Sequence, residues 1–132
     1  MHDYSGMGLG GGTGSGTDPF VTNKEVVFMG DSTFFHSGQI AISQAIKLGQ
    51  DITFIILDNR TTAMTGHQGN PVNGVFIDGS AAPELDLEVL SRAVGAASVR
   101  TVDPHELDAT LAVLREETAA EHLSVIISKA PC

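Results

Sequence analysis

The sequence has a single cysteine, Cys132, among its 132 residues. One cysteine excludes an internal disulfide framework and a self-contained iron–sulfur cluster, because both need several. Long apolar runs are also missing: none approaches the ~18–20 residues that cross a bilayer, and the N-terminus lacks the basic-then-apolar pattern of a signal peptide. These absences predict a cytoplasmic protein that is not inserted in a membrane.

Basic residues are scarce as well. Seven Lys and Arg stand against sixteen Asp and Glu, which gives a formal net charge of −9, and the basic residues are scattered singly. Nucleic-acid binding that is independent of sequence relies on clustered Lys and Arg, so this class of function is excluded. An anionic ligand would need backbone amides or a bridging metal ion in place of a basic patch.

Glycine is concentrated near the N-terminus, where residues 1–18 hold seven of the fifteen glycines. Because glycine loses the most backbone freedom on ordering, residues 1–24 are predicted to form a leader or ligand-edge loop. Residues 6–11 match the G-x-G-x-x-G pattern of dinucleotide sites, but that pattern needs a preceding strand and only five residues precede it. The loop interpretation is favoured, and an α/β domain is expected over residues 25–132.

Three mostly apolar segments predict β-strands at residues 26–29, 52–57 and 123–128, and a further short strand is predicted at residues 98–102. Helical patterns lie between them, at residues 37–49, 84–93 and from 104 to about 120. Strands that are apolar throughout and alternate with helices are typical of a parallel sheet covered on both faces. The predicted fold class is therefore an open, mostly parallel α/β sheet with helices on both faces.

Polar residues follow the first two predicted strands directly. Asp31 and Asn59 lie at carboxyl ends of strands, the edge at which open α/β sheets bind ligands. Their oxygens suit Mg²⁺ or Ca²⁺, and Mg²⁺ commonly holds substrate phosphates in its remaining positions. The backbone amides of Ser32 and Thr33 would add donors for a phosphate. The alternative is that Asp31 only caps the next helix and Asn59 only makes a turn, and the spacing does not separate the two.

Two longer strings, GDSTFFHSG at residues 30–38 and ILDNRTTAMTGHQ at residues 56–68, resemble the thiamine-diphosphate-binding domain of indolepyruvate:ferredoxin oxidoreductase alpha subunits. The resemblance implies a thiamine-diphosphate-binding fold in which Asp31, Asn59 and the backbone carbonyl of Thr61 hold Mg²⁺. The cofactor-binding residues that it implies are Gly30, Asp31, Ser32, Thr33, Asn59, Thr61, Thr65 and Gly66. His36 and His67 are candidate catalytic proton donors, although a lone histidine in a loop is more often solvated.

The resemblance also implies a function. The complete enzyme would oxidatively decarboxylate an aryl 2-oxoacid such as indolepyruvate to an acyl-coenzyme A, with ferredoxin as the electron acceptor. The pyrimidine-binding domain and the iron–sulfur cluster of such an assembly are not found in this sequence. The chain is therefore expected to be part of a larger oligomeric enzyme and inactive alone. Two alternatives stay open: a component of another 2-oxoacid:ferredoxin oxidoreductase, and a non-catalytic module that binds a diphosphate or nucleotide.

Overall fold

The computed structural model describes residues 6–132, and its framework is a four-stranded sheet with the strand order β1-β2-β4-β3. All neighbouring strands are parallel. Every predicted strand is confirmed to within one residue at each end. The strands are β1 (Val26–Gly30), β2 (Thr53–Asp58), β3 (Ser98–Val102) and β4 (Ser124–Lys129). Strands β2 and β4 are buried over most of their length, whereas β1 and β3 each bury only two residues.

Four helical regions surround the sheet: α1 (Gly10–Thr17), α2 (residues 31–47), α3 (Leu87–Ala93) and α4 (Leu107–Ala119). Helix α2 consists of an α-helical turn at Asp31–Thr33, a π-helical segment at Phe34–Gly38 and a regular helix at Gln39–Lys47. It begins six residues earlier than the sequence pattern predicted, because Phe34 is fully buried and belongs to the same apolar face as Ile42. No helix within residues 6–132 is long and apolar enough to span a bilayer.

The prediction that the glycine-rich segment is a loop was wrong for residues 10–17, which form α1. The physical reason is close packing. A Cβ atom added to Gly11 would lie 2.3 Å from the Cβ of Ala41, and one added to Gly14 would lie 2.5 Å from a methyl group of Val27. Because glycine lets α1 approach α2 and β1 this closely, the burial gained offsets the entropy lost on ordering the segment.

Helix α1 is also tied to the chain just before β2. The Ser15 hydroxyl donates to the Gln50 side-chain oxygen (2.5 Å), and the Gln50 amide nitrogen donates back to the Ser15 carbonyl (2.7 Å). Residues 10–17 therefore pack on the same sheet as the rest of the chain. The division into a leader of residues 1–24 and a domain of residues 25–132 stays a prediction.

The two faces of the sheet are covered to different extents. Helices α1, α2 and α3 cover one face, and the main core lies between them and the sheet; its strand residues are Val27, Met29, Phe54, Ile56, Val99, Val125 and Ile127. Helix α4 packs on the opposite face, where Val113 and Leu114 contact Ile55, Val102 and Ile126. Helices on both faces are as predicted, but α4 leaves the β1 side of its face open.

The open part of that face is apolar. Phe28 is 63% exposed, Leu57 48% and Val26 36%, although all three lie on strands of a parallel sheet. Strand β1 is also an edge strand within residues 6–132. Parallel sheets are usually buried on both faces, so we refer to Val26, Phe28 and Leu57 as the open-face patch.

We expect the isolated chain to self-associate through the open-face patch. The substitution Phe28→Ser should weaken this association by about tenfold or more, because one aromatic side chain then leaves the buried contact. Sedimentation velocity over a range of concentrations measures the effect. The matched control is Phe20→Ser, since Phe20 is 88% exposed but lies in a turn away from the sheet. Equal changes for the two variants would contradict the assignment of the patch.

Candidate functional site

Asp31 is the first residue of α2 and lies directly after β1, where its side chain is only 2% exposed. One carboxylate oxygen, Oδ1, accepts hydrogen bonds from the Ser32 amide (2.6 Å) and the Ser32 hydroxyl (3.1 Å). The other, Oδ2, is buried and has no hydrogen-bond partner among residues 6–132. A buried oxygen of this kind costs free energy unless something pairs with it. Hydrogen bonds from Ser32 therefore satisfy one oxygen of the Asp31 carboxylate, and a bound cation would satisfy the other.

Asn59 follows β2 at the same edge of the sheet, since the strand register pairs Gly30 with Leu57. Its side-chain oxygen accepts a hydrogen bond from the Thr61 amide (3.2 Å), so Asn59 does make the turn that the sequence allowed. Its backbone carbonyl accepts a hydrogen bond from the Cys132 amide (3.1 Å). Asn59 is half-buried in this turn.

A pair of hydroxyl groups joins the two strand ends. The Ser32 and Thr62 hydroxyl oxygens are 2.7 Å apart, and the Asn70 side-chain amide donates to Ser32 at 3.3 Å. Sequence reasoning missed Thr62 and Asn70. Ser32 and Thr62 are thirty positions apart in the sequence, and only the presence of a hydroxyl at both positions could have indicated the contact.

The remaining predicted residues lie around this edge. A Cβ atom added to Gly30 would meet nothing within 4 Å, so open space adjoins the turn after β1. The Thr65 hydroxyl donates to the side-chain oxygen of Gln68 (2.5 Å), and the Gln68 amide nitrogen donates to the Thr65 carbonyl (2.6 Å). Gly66 adopts a left-handed conformation with φ of 119° at the end of the turn Ala63–Thr65. Thr33 is half-buried in the first turn of α2.

The two candidate catalytic histidines are both exposed. His36 lies on the π-helical segment of α2, and His67 lies in the loop after β2, where its backbone is left-handed with φ of 60°. Within residues 6–132 neither imidazole forms a hydrogen bond or salt bridge. Their catalytic role therefore stays a prediction.

The N-terminus of α1 reaches the same region and was not predicted. Leu9 occupies its N-cap position without a side-chain hydrogen bond, so no side chain at this N-cap, within the described residues 6–132, caps the first amides of α1. The Ser37 hydroxyl on α2 donates to the Gly8 carbonyl at 3.3 Å, which fixes this end of α1 beside α2. Uncapped amides of a glycine-rich helix start are suitable donors for an anionic group.

Asp58 ends β2 and is 4% exposed. Burial raises the pKa of the Asp58 carboxyl, and the nearby charge of Asp31 raises it further, whereas the Arg60 amide, which donates to it at 3.2 Å, acts to lower it. The Arg60 guanidinium in turn pairs with the Glu84 carboxylate at 2.5 Å. Asp58, Arg60, Glu84 and Lys129 line a cavity of about 290 Å³ beside the edge that carries Asp31 and Asn59.

Comparison with known proteins identifies the domain. Over residues 1–128 the chain matches the family model described as thiamine pyrophosphate enzyme, C-terminal TPP binding domain. The chain belongs to this family. Thiamine pyrophosphate is thiamine diphosphate, so the resemblance carried by the two sequence strings is confirmed at the level of the cofactor-binding domain.

Curated relatives of the TPP-binding domain share one name. This chain is 41% identical over 129 residues to the indolepyruvate oxidoreductase subunit IorA of Methanothermobacter thermautotrophicus. It is 34% identical over 126 residues to the protein of the same name from Archaeoglobus fulgidus. Each match covers 96% of this chain and 20% of the relative, so the chain spans about a fifth of the length of these relatives. The likeness to this group of enzyme subunits is confirmed.

The fold of the TPP-binding domain also occurs in a solved 2-oxoglutarate:ferredoxin oxidoreductase from Magnetococcus marinus. The TM-score is 0.81 at 16% sequence identity, and the match covers 95% of this chain and 45% of that chain. At this identity the likeness shows the fold alone. It confirms the predicted class of an open parallel α/β sheet.

The raised pKa of Asp58 leads to a prediction about stability and pH. The folded domain keeps the Asp58 proton to a higher pH than the unfolded chain does. The stability that this provides is fully present below the ordinary carboxyl pKa and is lost as pH rises through the raised one. Asp58→Asn keeps an oxygen for the Arg60 amide, so its stability relative to wild type should increase as pH rises above the ordinary carboxyl pKa of 3.8.

Urea unfolding of both proteins at several pH values measures this trend. The control is Asp78→Asn, because hydrogen bonds from Ser80 lower the pKa of the exposed Asp78 carboxyl. Stability from a lowered pKa is present above the ordinary value and is lost as pH falls, so the trend of this variant should have the opposite sign. The same sign for both variants would contradict the argument.

Proposed function

We propose that this domain binds thiamine diphosphate through Mg²⁺ at the carboxyl edge of β1 and β2. The observation that carries the proposal is the buried Oδ2 of Asp31, which has no partner among residues 6–132 and could serve as a ligand to a cation. The side-chain oxygens of Asp31 and Asn59 and the backbone carbonyl of Thr61 would hold the ion. An all-oxygen set that leaves positions for phosphate oxygens is what Mg²⁺ prefers.

Charge explains why the metal is needed. The chain carries a formal net charge of −9, and a diphosphate is itself strongly anionic. A divalent cation between them reverses the local repulsion. The uncapped amides of α1, the amide of Thr33 and the open space beside Gly30 would complete the diphosphate site. When bound, thiamine diphosphate supplies the carbanion chemistry, and this domain contributes binding and orientation.

We propose further that the domain is part of an enzyme that oxidatively decarboxylates an aryl 2-oxoacid such as indolepyruvate. The identities to IorA subunits support this substrate class. The product would be an acyl-coenzyme A, and the electrons would pass to ferredoxin through an iron–sulfur cluster outside this chain. A separate pyrimidine-binding domain would complete the cofactor site in an oligomeric, cytoplasmic assembly. His36 and His67 are proposed to act on substrate protons at the open end of the site.

Calorimetric titration of the full 132-residue chain tests the cofactor proposal. Saturable binding of thiamine diphosphate is expected in the presence of Mg²⁺ and not in its absence. Asn59→Ala should weaken it by about tenfold or more, equivalent to about 1.4 kcal/mol, whereas Asn23→Ala, an exposed asparagine at the opposite edge, should not. Preference for ATP or NAD would overturn the proposal in favour of a nucleotide module. If the folded wild-type chain does not bind thiamine diphosphate in the presence of Mg²⁺, the proposal that this chain binds the cofactor is wrong.

A further inference from the structure

The Ser32 hydroxyl is at the junction of three segments of the chain. It lies 3.1 Å from Asp31 Oδ1 at the start of α2, 2.7 Å from the Thr62 hydroxyl in the loop after β2, and 3.3 Å from the Asn70 side-chain amide. All of these groups are partly buried. The contacts connect the chain after β1 with the chain after β2, which carries Asn59 and Thr61.

The direction of each hydrogen bond follows from counting protons. A serine hydroxyl has one proton to donate and can accept two hydrogen bonds. The Asn70 amide can only donate, and the Asp31 carboxylate can only accept, so the Ser32 proton goes to Asp31 Oδ1 in the stronger, charge-assisted bond. The Thr62 hydroxyl must then donate to Ser32. Thr62 and Asn70 therefore donate to Ser32, and Ser32 donates to Asp31.

This arrangement determines which oxygen of Asp31 remains free. Oδ1 receives two donors from Ser32, the hydroxyl and the amide at 2.6 Å. Oδ2 receives none from residues 6–132. The carboxylate is thus held in one orientation, in which Oδ1 is paired with Ser32 and Oδ2 is left without a partner among residues 6–132.

We propose that Thr62 and Asn70 are positioning residues for the cation site and that they act through the Ser32 hydroxyl on Asp31. The Ser32 side chain then serves this function instead of contacting the diphosphate as the sequence resemblance implied. The same contacts hold the loop that carries Asn59 and Thr61 in register with Asp31. The identity of the bound ion rests on the proposed function, whereas the orientation of Asp31 does not.

The test compares Thr62→Val, which removes the hydroxyl at nearly constant volume, with Thr62→Ser, which keeps it. Mg²⁺ alone is the probe, and its affinity for the full chain is measured by NMR titration. Thr62→Val should weaken Mg²⁺ binding by about 10–100-fold, as is usual for groups that orient a metal ligand, and Thr62→Ser should restore it to within about threefold. The matched control is Thr118→Val on α4, whose hydroxyl donates to the Leu114 carbonyl, and Mg²⁺ affinity should not change there.

A double-mutant cycle protects the test against simple loss of structure. If Thr62 acts only through Ser32, the double variant Ser32→Ala/Thr62→Val should bind Mg²⁺ no more weakly than Ser32→Ala alone. Additive losses would overturn the proposal, as would equal Mg²⁺ affinity for Thr62→Val and wild type.

A readout without any ligand separates this inference from the proposed function. In the metal-free chain, Thr62→Val should shift the NMR signals of the Ser32 amide and the Asp31 carboxyl carbon, and Thr118→Val should leave them unchanged. If wild type binds no Mg²⁺ and these shifts appear, the proposed function fails and the positioning inference stands. If the shifts do not appear, Thr62 does not act on Asp31 through Ser32, and the inference is wrong whichever ion the site binds.

Discussion

Replacing Gly11 with alanine should destabilise the domain by roughly 1–3 kcal/mol, whereas the same substitution at Gly12 should stabilise it by roughly 0.5–1 kcal/mol. Both residues lie in α1, and alanine is the better helix former at either one. The difference comes from the surroundings. A Cβ atom at Gly11 would lie 2.3 Å from the Cβ of Ala41, whereas one at Gly12 would meet nothing within 4 Å.

Urea unfolding of the two variants and wild type measures the effect. The overlap at Gly11 is with a short side chain that cannot turn away, so relief requires α1 to move off α2. The compensating variant Gly11→Ala/Ala41→Gly removes the overlapping methyl group and should regain much of the loss. Stabilisation by Gly11→Ala, as at Gly12, would show that α1 does not pack on α2 at this distance.

The second large effect is expected at Asp31, where stability and binding should change in opposite directions. Asp31→Asn removes a buried charge whose Oδ2 has no partner among residues 6–132. The metal-free domain should therefore gain roughly 1–3 kcal/mol, because a neutral amide costs less to bury without a partner than an ionised carboxylate does. Asparagine keeps an oxygen for the Ser32 amide, so the turn after β1 should be retained.

The affinity of the Asp31→Asn variant for Mg²⁺ should fall by about 100-fold or more. This exceeds the loss of about 10–100-fold that is typical when a residue that only orients a metal ligand is changed. Thermal unfolding with and without Mg²⁺ reports both quantities in one experiment, because a ligand that binds the folded state raises the unfolding temperature. Asp108→Asn, an acidic residue at the start of α4, is the control and should keep the Mg²⁺ response. Lower stability of metal-free Asp31→Asn would mean that the Oδ2 charge is compensated within the protein.

Strands β1, β2 and β4 could be predicted from sequence because each is a mostly apolar segment, and burial of such a segment in a sheet does not depend on a particular partner. Strand β3 buries only Val99 and Val102 and was predicted from its place between two helices. Helix α1 could not be predicted, since the benefit of a glycine at position 11 comes from Ala41, thirty residues further along the chain. Helix α3 was predicted to begin at residue 84 but begins at Leu87, because the Asp86 side chain accepts hydrogen bonds from two amides of the first turn. A capping residue such as Asp86 is visible in the sequence, but neighbouring residues offer other possible helix starts.

The candidate site was predictable to the extent that it lies at strand ends. Asp31 and Asn59 follow directly from β1 and β2, and parallel strands bring such residues to one edge. Thr62 and Asn70 lie in a loop without periodicity, so their contact with Ser32 depends on how that loop folds. The orientation of the Asp31 carboxylate depends on these contacts, and for that reason it could not be derived from the spacing of the motif.

The order of strands in the sheet has a consequence for how the chain is made. Strand β4 is the last of the four in sequence, yet it lies between β2 and β3 and is the only neighbour of β3 within the described sheet. During synthesis β3 has no partner strand within the described sheet until residues 124–129 have left the ribosome. Strands β1 and β2 can pair earlier, whereas the half of the sheet that contains β3 forms only after β4 has been made, and the apolar residues of β3 stay unburied until then.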